Sequence, residues 1–399
     1  MPVRSAFMTD AKPIYLAGLA VLSLIAGCND TQNDKQNDTQ TSSNSKTATE
    51  ANMETMDELA NAADETKLAI KVPGDVFDLS PWNILLPLDR DGDGKADRIE
   101  NKDLPRFHVD EFFYLDDNNN MVFAAANKAF TSPTSTNTRS ELRQVYADEN
   151  GNVPSLENPA NYFALASNPE ADKFAAIGAR MEATLKVDHV STNAKYHDKP
   201  PAYSVVVGQI HAGKLDELRN NESGFGWGNE PLKIYYKKYP NHDTGTVFWN
   251  YELNLPENNP KRTDIAYPVW GDGWHDSTDP GENGIALGES FSYEINVYGD
   301  TMYLTFTADN HPTVKHQINL ANNVDANGFI DDYDDPVAYK NDWLFFKAGA
   351  YNQCSTKDAP TFRYPACPGT GDWETDKKAG NYTRVSFSHL QVGDAIEVK

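Results

Sequence analysis

Positive charge and cysteine are both scarce in this sequence. Its 399 residues include 35 Lys and Arg against 59 Asp and Glu, which gives a formal net charge of −24 at pH 7. Nucleic-acid-binding domains carry clustered positive charge, so we expect no nucleic-acid partner. The three cysteines, Cys28, Cys354 and Cys367, are few enough to be considered one by one.

The sequence also lacks the motifs of several large enzyme classes. It has no H-E-x-x-H zinc helix, no phosphate-binding P-loop, no G-x-S-x-G nucleophile elbow and no E-x-D-x-x-E motif of the jelly-roll glucanases. His311 and His316 stand five positions apart, which suits no familiar metal spacing. Nothing in the sequence points to glycoside hydrolysis by paired carboxylates.

No apolar run near the N-terminus is long enough to span a bilayer. Arg4 and Lys12 precede residues 14–26, a mostly apolar run of about thirteen residues that is typical of a signal peptide. The run ends in LIAGC at Cys28. This ending resembles the bacterial lipobox and predicts a signal peptide over residues 1–28 and a lipid anchor on Cys28, with an ordinary secretory signal as the alternative. Asn29 favours the outer membrane of a Gram-negative bacterium.

Residues 29–71 are predicted to be a tether. Residues 29–46 carry no large apolar side chain, so they cannot bury enough surface to offset the entropy of ordering. Residues 48–70 place Met53, Met56 and Leu59 at roughly helical spacing, which leaves a short helix as an alternative. The folded domain is expected over residues 72–399.

Beyond residue 72 the chain alternates short strand-like runs with turns and shows no internal repeat. The whole chain holds 19 Tyr, 18 Phe and 7 Trp, which is ample for a sheet core. This pattern predicts an all-β protein, an antiparallel β-sandwich or jelly roll, rather than a parallel sheet. The candidate strands are residues 112–115, 121–125, 180–187, 232–239, 247–253, 291–297 and 302–308.

An acidic segment, DRDGDGKADRIE, matches the D-x-D-x-D-G-x5-E pattern of a calcium loop. Gly94 permits the sharp turn, but Pro87 and Pro105 stand where helices usually flank such a loop. The segment is therefore either a structural calcium site or an acidic β-turn. Its candidate ligands are Asp89, Asp91, Asp93, the Lys95 carbonyl, Asp97 and Glu100.

Residues 343–353, WLFFKAGAYNQ, are typical of a strand with two unlike faces. Alternation puts Lys347, Gly349, Tyr351 and Gln353 on one face and mainly apolar side chains on the other. An ammonium, a phenol and an amide beside a glycine that leaves room for a ligand suggest a binding face. A solvated sheet face is the alternative.

Two other segments repeat this arrangement. In residues 138–144, Arg139, Glu141 and Arg143 share one face of a strand, and in residues 203–211, Gln209 and His211 do the same. A histidine in a strand is often a satisfied structural group. Together, however, the three segments predict a cationic, proton-transferring groove on a sheet.

These segments carry a family resemblance. RSELR at 139–143, QIH at 209–211 and FFKAGAYNQ at 345–353 resemble, in that order, the three signature motifs of the alginate lyases of polysaccharide lyase family 7. The resemblance extends from about residue 72 to the C-terminus. It implies a β-jelly roll whose concave sheet holds an acidic polysaccharide, and catalysis without a metal or an organic cofactor.

The resemblance also implies roles for four residues in a β-elimination. Arg139 and Gln209 would neutralise the uronate carboxylate, because the C5 hydrogen is hardly acidic until the enolate-like species is stabilised. Tyr351 would protonate the leaving oxygen and also act as the base on mannuronate. His211 would be the base on guluronate, whose C5 hydrogen faces the other way. The products would carry 4,5-unsaturated uronate ends.

The remaining polar residues of the motifs are expected to bind substrate or to support the site. Arg143 and Lys347 would contact neighbouring uronate carboxylates, and Glu141 would fix the flanking arginines. Gln353 would orient sugar hydroxyls or simply form hydrogen bonds at the end of its strand. Ile210, in this family, accompanies activity on guluronate-containing or mixed blocks.

Three further expectations concern the molecule as a whole. Cys354 and Cys367 are expected to form a disulfide that braces the loop after the Tyr351 strand. The negative net charge opposes a polyanionic substrate at long range, so attraction must be local. We expect a monomer. The rival functions are a lyase of the same fold acting on another polyuronate such as glucuronan, and a non-catalytic glycan-binding lipoprotein of the cell surface.

Overall fold

The computed structural model of the protein describes residues 3–4, 71–213, 226–275 and 277–398. The predicted signal peptide and tether, including Cys28, lie outside the described residues except for Val3, Arg4 and Lys71. Their boundaries therefore stay a prediction. Among the described residues, no helix has both the length and the apolar character needed to cross a membrane.

The described strands form two sheets, which are antiparallel apart from one short parallel pair. The first sheet contains β1 (Val3–Arg4), β2 (Trp82–Leu86), β3 (Asp97–Ile99), β6 (Asn137–Gln144), β7 (Phe163–Ala164), β8 (Ala176–Ile177), β10 (Ser204–Ala212), β11 (Leu232–Lys237), β12 (Thr244–Glu252), β13 (Asp264–Trp270), β14 (Ile285–Ala286) and β18 (Leu344–Ser355). In its main path the strands follow the order β1-β13-β12-β11-β10-β18-β6-β2-β3.

The second sheet has the order β17-β16-β15-β9-β19-β5-β4. Its strands are β4 (Phe113–Leu115), β5 (Met121–Ala126), β9 (Ala179–His189), β15 (Ser290–Tyr298), β16 (Thr301–Ala308), β17 (His311–Asn319) and β19 (Tyr382–Gly393). The helices are short: α1 (Trp373–Lys378) and the 3-10 turns Pro73–Asp75, Leu104–Arg106, Pro159–Asn161, Ala171–Lys173 and Gly281–Asn283. This architecture confirms the predicted all-β sandwich.

The core lies between the two sheets. Along β9, buried and partly exposed residues alternate, because successive side chains of a strand point to opposite faces. Its buried members Met181 and Leu185 join a hydrophobic cluster that also contains Phe346 of β18. Tyr293 of β15 crosses to the other sheet, where its hydroxyl donates a hydrogen bond to the Val207 carbonyl at 3.0 Å.

All seven candidate strands contain a strand in the structure, with ends that differ by a few residues. The sequence analysis gave no candidate strand for β13 and β17, nor for the short strands β3, β7, β8 and β14. β17 is partly or fully exposed at every position but Ile318, so it shows no alternation of buried apolar residues. β13 contains Pro268, a residue that argues against a strand in sequence.

The central strand of the groove is β18, which pairs with β10 on one side and β6 on the other. Tyr351 stands opposite Arg139, and Lys347 stands opposite both Arg143 and Gln209. As alternation predicts, the intervening apolar side chains of β18 lie in the core; they are Leu344, Phe346, Ala348 and Ala350. Backbone pairing alone therefore brings the three polar segments together on one face.

The sequence analysis expected Gly349 to leave room for a ligand. In the structure it leaves room for a neighbouring strand instead. Its φ is +141°, and a Cβ there would lie 2.5 Å from the Ser140 carbonyl oxygen and 2.9 Å from the Glu141 Cα. The glycine thus allows close approach of the neighbouring strand β6.

Candidate active site

A cavity of about 920 Å³ opens on the polar face of β6, β10 and β18. Six of the eight predicted catalytic and substrate-binding residues line it: Arg139, Glu141, Arg143, His211, Lys347 and Tyr351. The other two, Gln209 and Gln353, are buried and do not line the cavity. The predicted groove therefore exists, but the side-chain amides of Gln209 and Gln353 lie beneath its surface.

Glu141 contacts three other polar residues of the site. Its carboxylate, 2 % exposed, contacts the Arg139 guanidinium at 3.1 Å and the Lys347 ammonium at 2.6 Å. It also accepts a hydrogen bond from the amide of Gln209. Burial would raise the pKa of Glu141, but the charges of Lys347 and Arg139 outweigh burial and lower it.

Arg143 is not the second partner of Glu141 that the sequence analysis expected. It donates to the Gln144 carbonyl at 2.9 Å, and its guanidinium lies over the Phe345 ring at 4.2 Å. Lys347, which stands opposite Arg143 in the strand register, contacts Glu141 in its place. Arg143 remains on the cavity wall, where it is able to contact a carboxylate.

Arg139 and Tyr351 are in direct contact. The guanidinium carbon lies 3.7 Å from the centroid of the Tyr351 ring, and an N–H group of Arg139 donates to the Ser135 hydroxyl at 2.9 Å. This contact is a cation–π interaction. Tyr351 also packs in a cluster with Val206, Tyr235, Phe248, Ala266 and Trp274, which holds its ring in place.

His211 is held on three sides. Its ring stacks on Phe345 with centroids 5.2 Å apart, Nδ1 lies 2.6 Å from the Ala212 carbonyl oxygen, and Nε2 lies 3.4 Å from Glu230 Oε1. Burial, together with the charge of Lys347, lowers the pKa of His211 to about 3. The ring is therefore neutral near pH 7 and able to accept a proton.

The side chains of Gln209 and Gln353 both form hydrogen bonds within the protein. Gln209 is fully buried and donates to Glu141, so its amide must become exposed before it can contact a substrate carboxylate. Gln353 donates to the Tyr351 carbonyl at 3.2 Å. Its surroundings match the strand-end alternative rather than the sugar-binding one.

Several residues of the cavity wall carried no signal in the sequence. Lys233, 2 % exposed, lies 3.3 Å from Glu230 and 3.5 Å from Asp264, and Arg262 contacts Glu252 at 2.8 Å. Four members of this ion-pair cluster line the cavity: Glu230, Glu252, Arg262 and Asp264. They come from β12, β13 and the segments beside them, and they form no short motif that a reader of the sequence could find.

The predicted disulfide is present. Cys354 and Cys367 are bonded across a separation of 13 residues. The loop between them contributes Thr361, Phe362, Arg363 and Tyr364 to the cavity wall. The bond thus ties a part of the cavity wall to the end of β18.

The acidic loop gathers three of its six predicted ligands. Carboxylate oxygens of Asp89, Asp91 and Asp97 lie within 4.8 Å of one another. Asp93 instead pairs with the Lys95 side chain at 2.8 Å. Glu100 accepts a hydrogen bond from the Asn83 amide, because β3 carries it away from the loop to pair with β2.

The fold and the cavity together define a class: a jelly-roll sandwich in which one sheet presents cations, a phenol and an imidazole to one cavity is typical of polysaccharide lyases. The family model described as "Alginate lyase" matches residues 77–394. A curated alginate lyase from Klebsiella pneumoniae is 34% identical over 298 residues, which cover 73% of this chain and 87% of the relative.

Solved structures agree with this match. The crystal structure of an alginate lyase from Klebsiella pneumoniae is similar with a TM-score of 0.61 and 28% identity, covering 82% of this chain and 99% of that one. An exolytic PL7 alginate lyase from Zobellia galactanivorans is similar with a TM-score of 0.63 and 33% identity, with the same coverage. The chain belongs to the alginate lyase family, and it is a polysaccharide lyase. Members of this family need no cofactor for catalysis.

Proposed function

We propose that this protein cleaves alginate by β-elimination and leaves 4,5-unsaturated uronate ends. The observation that carries the proposal is the Arg139 guanidinium 3.7 Å over the Tyr351 ring, in a cavity that His211 also lines. A cation, a phenol and a neutral imidazole around one cavity are the groups that this elimination needs. The rest of the cavity supplies room for a saccharide.

The first requirement is to make the C5 hydrogen of the uronate acidic. Arg139 and Lys347 both reach the cavity, and they share the single carboxylate of Glu141, so a positive charge is left over for the substrate. Neutralising the uronate carboxylate favours the enolate-like species, and one pre-organised donor of this kind is worth about 3 kcal/mol. Gln209 would join as a donor through the second N–H of its amide once that group is exposed to the cavity.

The second requirement is to move two protons. On guluronate, His211 takes the C5 proton, the electron pair of that C–H bond forms the C4–C5 double bond, and Tyr351 gives its proton to the departing O4. On mannuronate, Tyr351 in its phenolate form takes the C5 proton and then gives that proton to the departing O4. No water is consumed, so the new end is unsaturated.

Ultraviolet absorbance of the conjugated product tests this function. Purified protein incubated with alginate is expected to show a steady rise in absorbance, and parallel samples with glucuronan and other polyuronates are expected to stay flat. A rise on glucuronan alone would transfer the activity to the rival polymer. Binding of alginate without any rise, in a correctly folded sample, would leave only the glycan-binding function.

Preference for guluronate or mixed blocks is a finer part of the proposal. Ile210, which motivates it, is fully buried in the core and does not reach the cavity, so any influence on specificity passes through the neighbouring Gln209 and His211. Initial rates on poly-guluronate and poly-mannuronate test the preference. A higher rate on poly-mannuronate would contradict it.

A lipid anchor at Cys28 in the outer membrane is supported by the LIAGC sequence alone. Cells that express the protein and are fed labelled palmitate should incorporate the label, and Cys28→Ser should remove it and release the protein from the membrane fraction. Equal labelling of both proteins would contradict the anchor.

A structural calcium ion is supported by the three clustered carboxylates of Asp89, Asp91 and Asp97. If calcium binds, adding it to chelator-treated protein raises the melting temperature, and Asp91→Asn reduces that rise. An unchanged melting temperature would show that the segment is an acidic turn.

A further inference from the structure

The His211 ring has an oxygen atom close to each nitrogen: the Ala212 carbonyl oxygen is a hydrogen-bond partner of Nδ1, and Glu230 is at ion-pair distance from Nε2. Nδ1 lies 2.6 Å from the Ala212 carbonyl oxygen, and Nε2 lies 3.4 Å from a carboxylate oxygen of Glu230. A neutral imidazole has one N–H donor and one lone pair, whereas the imidazolium ion has two donors. Either neutral tautomer therefore leaves one acceptor facing a lone pair. Only the protonated ring carries an N–H at both nitrogens.

Glu230 is fixed in its position beside the ring. Its second carboxylate oxygen accepts from the Lys233 ammonium at 3.3 Å, and its backbone N–H donates to Glu252 at 3.0 Å. Burial disfavours the charged form of Glu230, but the charge of Lys233 outweighs burial, and the pKa of Glu230 falls to about 2. Glu230 is thus a permanent anion 3.4 Å from Nε2.

The cations around His211 act in the opposite direction to Glu230. The charged groups that face it are Arg139 and Glu141 on β6, Lys347 on β18 and Glu230 before β11, and Arg143 lies across the stacked Phe345 ring. Burial and the nearby cations keep the resting ring neutral. The two acceptors oppose that effect at the moment a proton arrives.

We infer that Glu230 is a positioning residue that acts through His211 and stabilises the imidazolium formed when Nε2 takes the C5 proton of a guluronate. This inference rests on the proposed function. The C5–H bond breaks, its electron pair forms the C4–C5 double bond, and O4 leaves with the proton of Tyr351. His211 then loses its proton to solvent while Tyr351 regains one, so the protein returns to its starting state.

Glu230 should affect the elimination of guluronate and of mannuronate differently. On guluronate the imidazolium forms, and the Glu230 carboxylate lowers the energy of that step. On mannuronate Tyr351 takes the proton, His211 stays neutral, and the charge of Glu230 contributes little. A residue with a purely structural role would affect both polymers alike.

The first test is Glu230→Gln, which keeps the shape and removes the charge. We expect kcat on poly-guluronate to fall about tenfold or more, while kcat on poly-mannuronate changes less than about twofold. Glu230→Asp keeps the charge and should restore part of the poly-guluronate rate. Equal losses on both polymers, or no loss on either, would overturn the inference.

A matched control exists elsewhere in the molecule. Glu289 pairs with His311 at 3.2 Å, at a place that does not line the cavity. Glu289→Gln therefore removes the same charge from a similar pair, and its rates on both polymers should match the wild type. A selective loss in this control would show that the effect of Glu230→Gln is not specific.

A second readout does not depend on turnover. In Glu230→Gln the introduced amide can donate to Nε2, so the nitrogen-15 shifts of the His211 ring should move, whereas Glu289→Gln should leave them unchanged. Unmoved shifts in Glu230→Gln would overturn the pairing itself. A wild-type protein inactive on both polymers would instead contradict the proposed function, and the shifts would still report on the pairing.

Discussion

At the scale of single residues, the site is organised by Glu141 rather than by the residues that perform the chemistry. Its carboxylate holds Arg139, Lys347 and the amide of Gln209, three groups from three strands. An anion within this cluster weakens its positive charge, but it also fixes the geometry of the donors. Positioning in this site therefore depends on a residue with no proton to transfer.

Glu141→Gln should destabilise the fold, because it leaves two buried cations without their anion. We expect the free energy of unfolding to fall by about 3 kcal/mol, measured by denaturant titration at pH 7. Since the pKa of Glu141 is lowered in the fold, its contribution is present at neutral pH and is lost as the pH falls through the folded-state pKa. Glu294→Gln, in the more exposed pair with Arg180, should cost less than about 1 kcal/mol. Similar costs for the two variants would contradict this role.

The neutral state of His211 predicts a pH profile. Its pKa of about 3 means that the ring stays unprotonated, and so competent as a base, in neutral and mildly acidic solution. We expect kcat/KM on poly-guluronate to show no loss due to this residue between about pH 8 and about pH 5. A loss with an apparent pKa near 6.5, the ordinary value for histidine, would show that the ring titrates freely.

At the scale of elements, strand pairing explains why three distant segments make one site. The groove face of β18 could be predicted from its alternation, and so could those of β6 and β10, because each shows polar residues at every second position. The ion-pair cluster around Lys233 could not be predicted, since it forms from segments that are unremarkable in sequence and meet only through sheet order. The burial of Gln209 and Gln353 was likewise hidden, because alternation assigns a face but not a depth.

Loss of the disulfide should lower both the stability and the activity of the protein. Replacing Cys354 and Cys367 by Ser should lower the free energy of unfolding by about 3 kcal/mol, since the closed loop has 13 residues. It should also lower kcat/KM, because the loop places Arg363 and Tyr364 on the cavity wall. Cys28→Ser is the control and should change neither quantity in detergent-solubilised protein. Unchanged activity in the double variant would mean that the loop holds its position without the bond.

At the scale of the whole molecule, the net charge of −24 contrasts with the local cations of the site. Exposed charges act over a distance set by salt, whereas the contacts of Arg139 and Lys347 act within a few ångströms. Raising NaCl from about 10 mM to about 150 mM shortens the screening length from about 30 Å to about 8 Å. We therefore expect KM for alginate to fall over this range, with sucrose at equal osmolarity as the control. A steady rise in KM would indicate that long-range attraction dominates.

The central claim is that groups from three strands act on one sugar ring, and product formation by two variants tests it most directly. Unsaturated ends should appear on neither polymer with Tyr351→Phe, and only on poly-mannuronate with His211→Asn. Tyr303→Phe, on the other sheet, should behave as the wild type on both. Unsaturated ends formed at the wild-type rate by Tyr351→Phe, with the same alginate binding, would contradict the account.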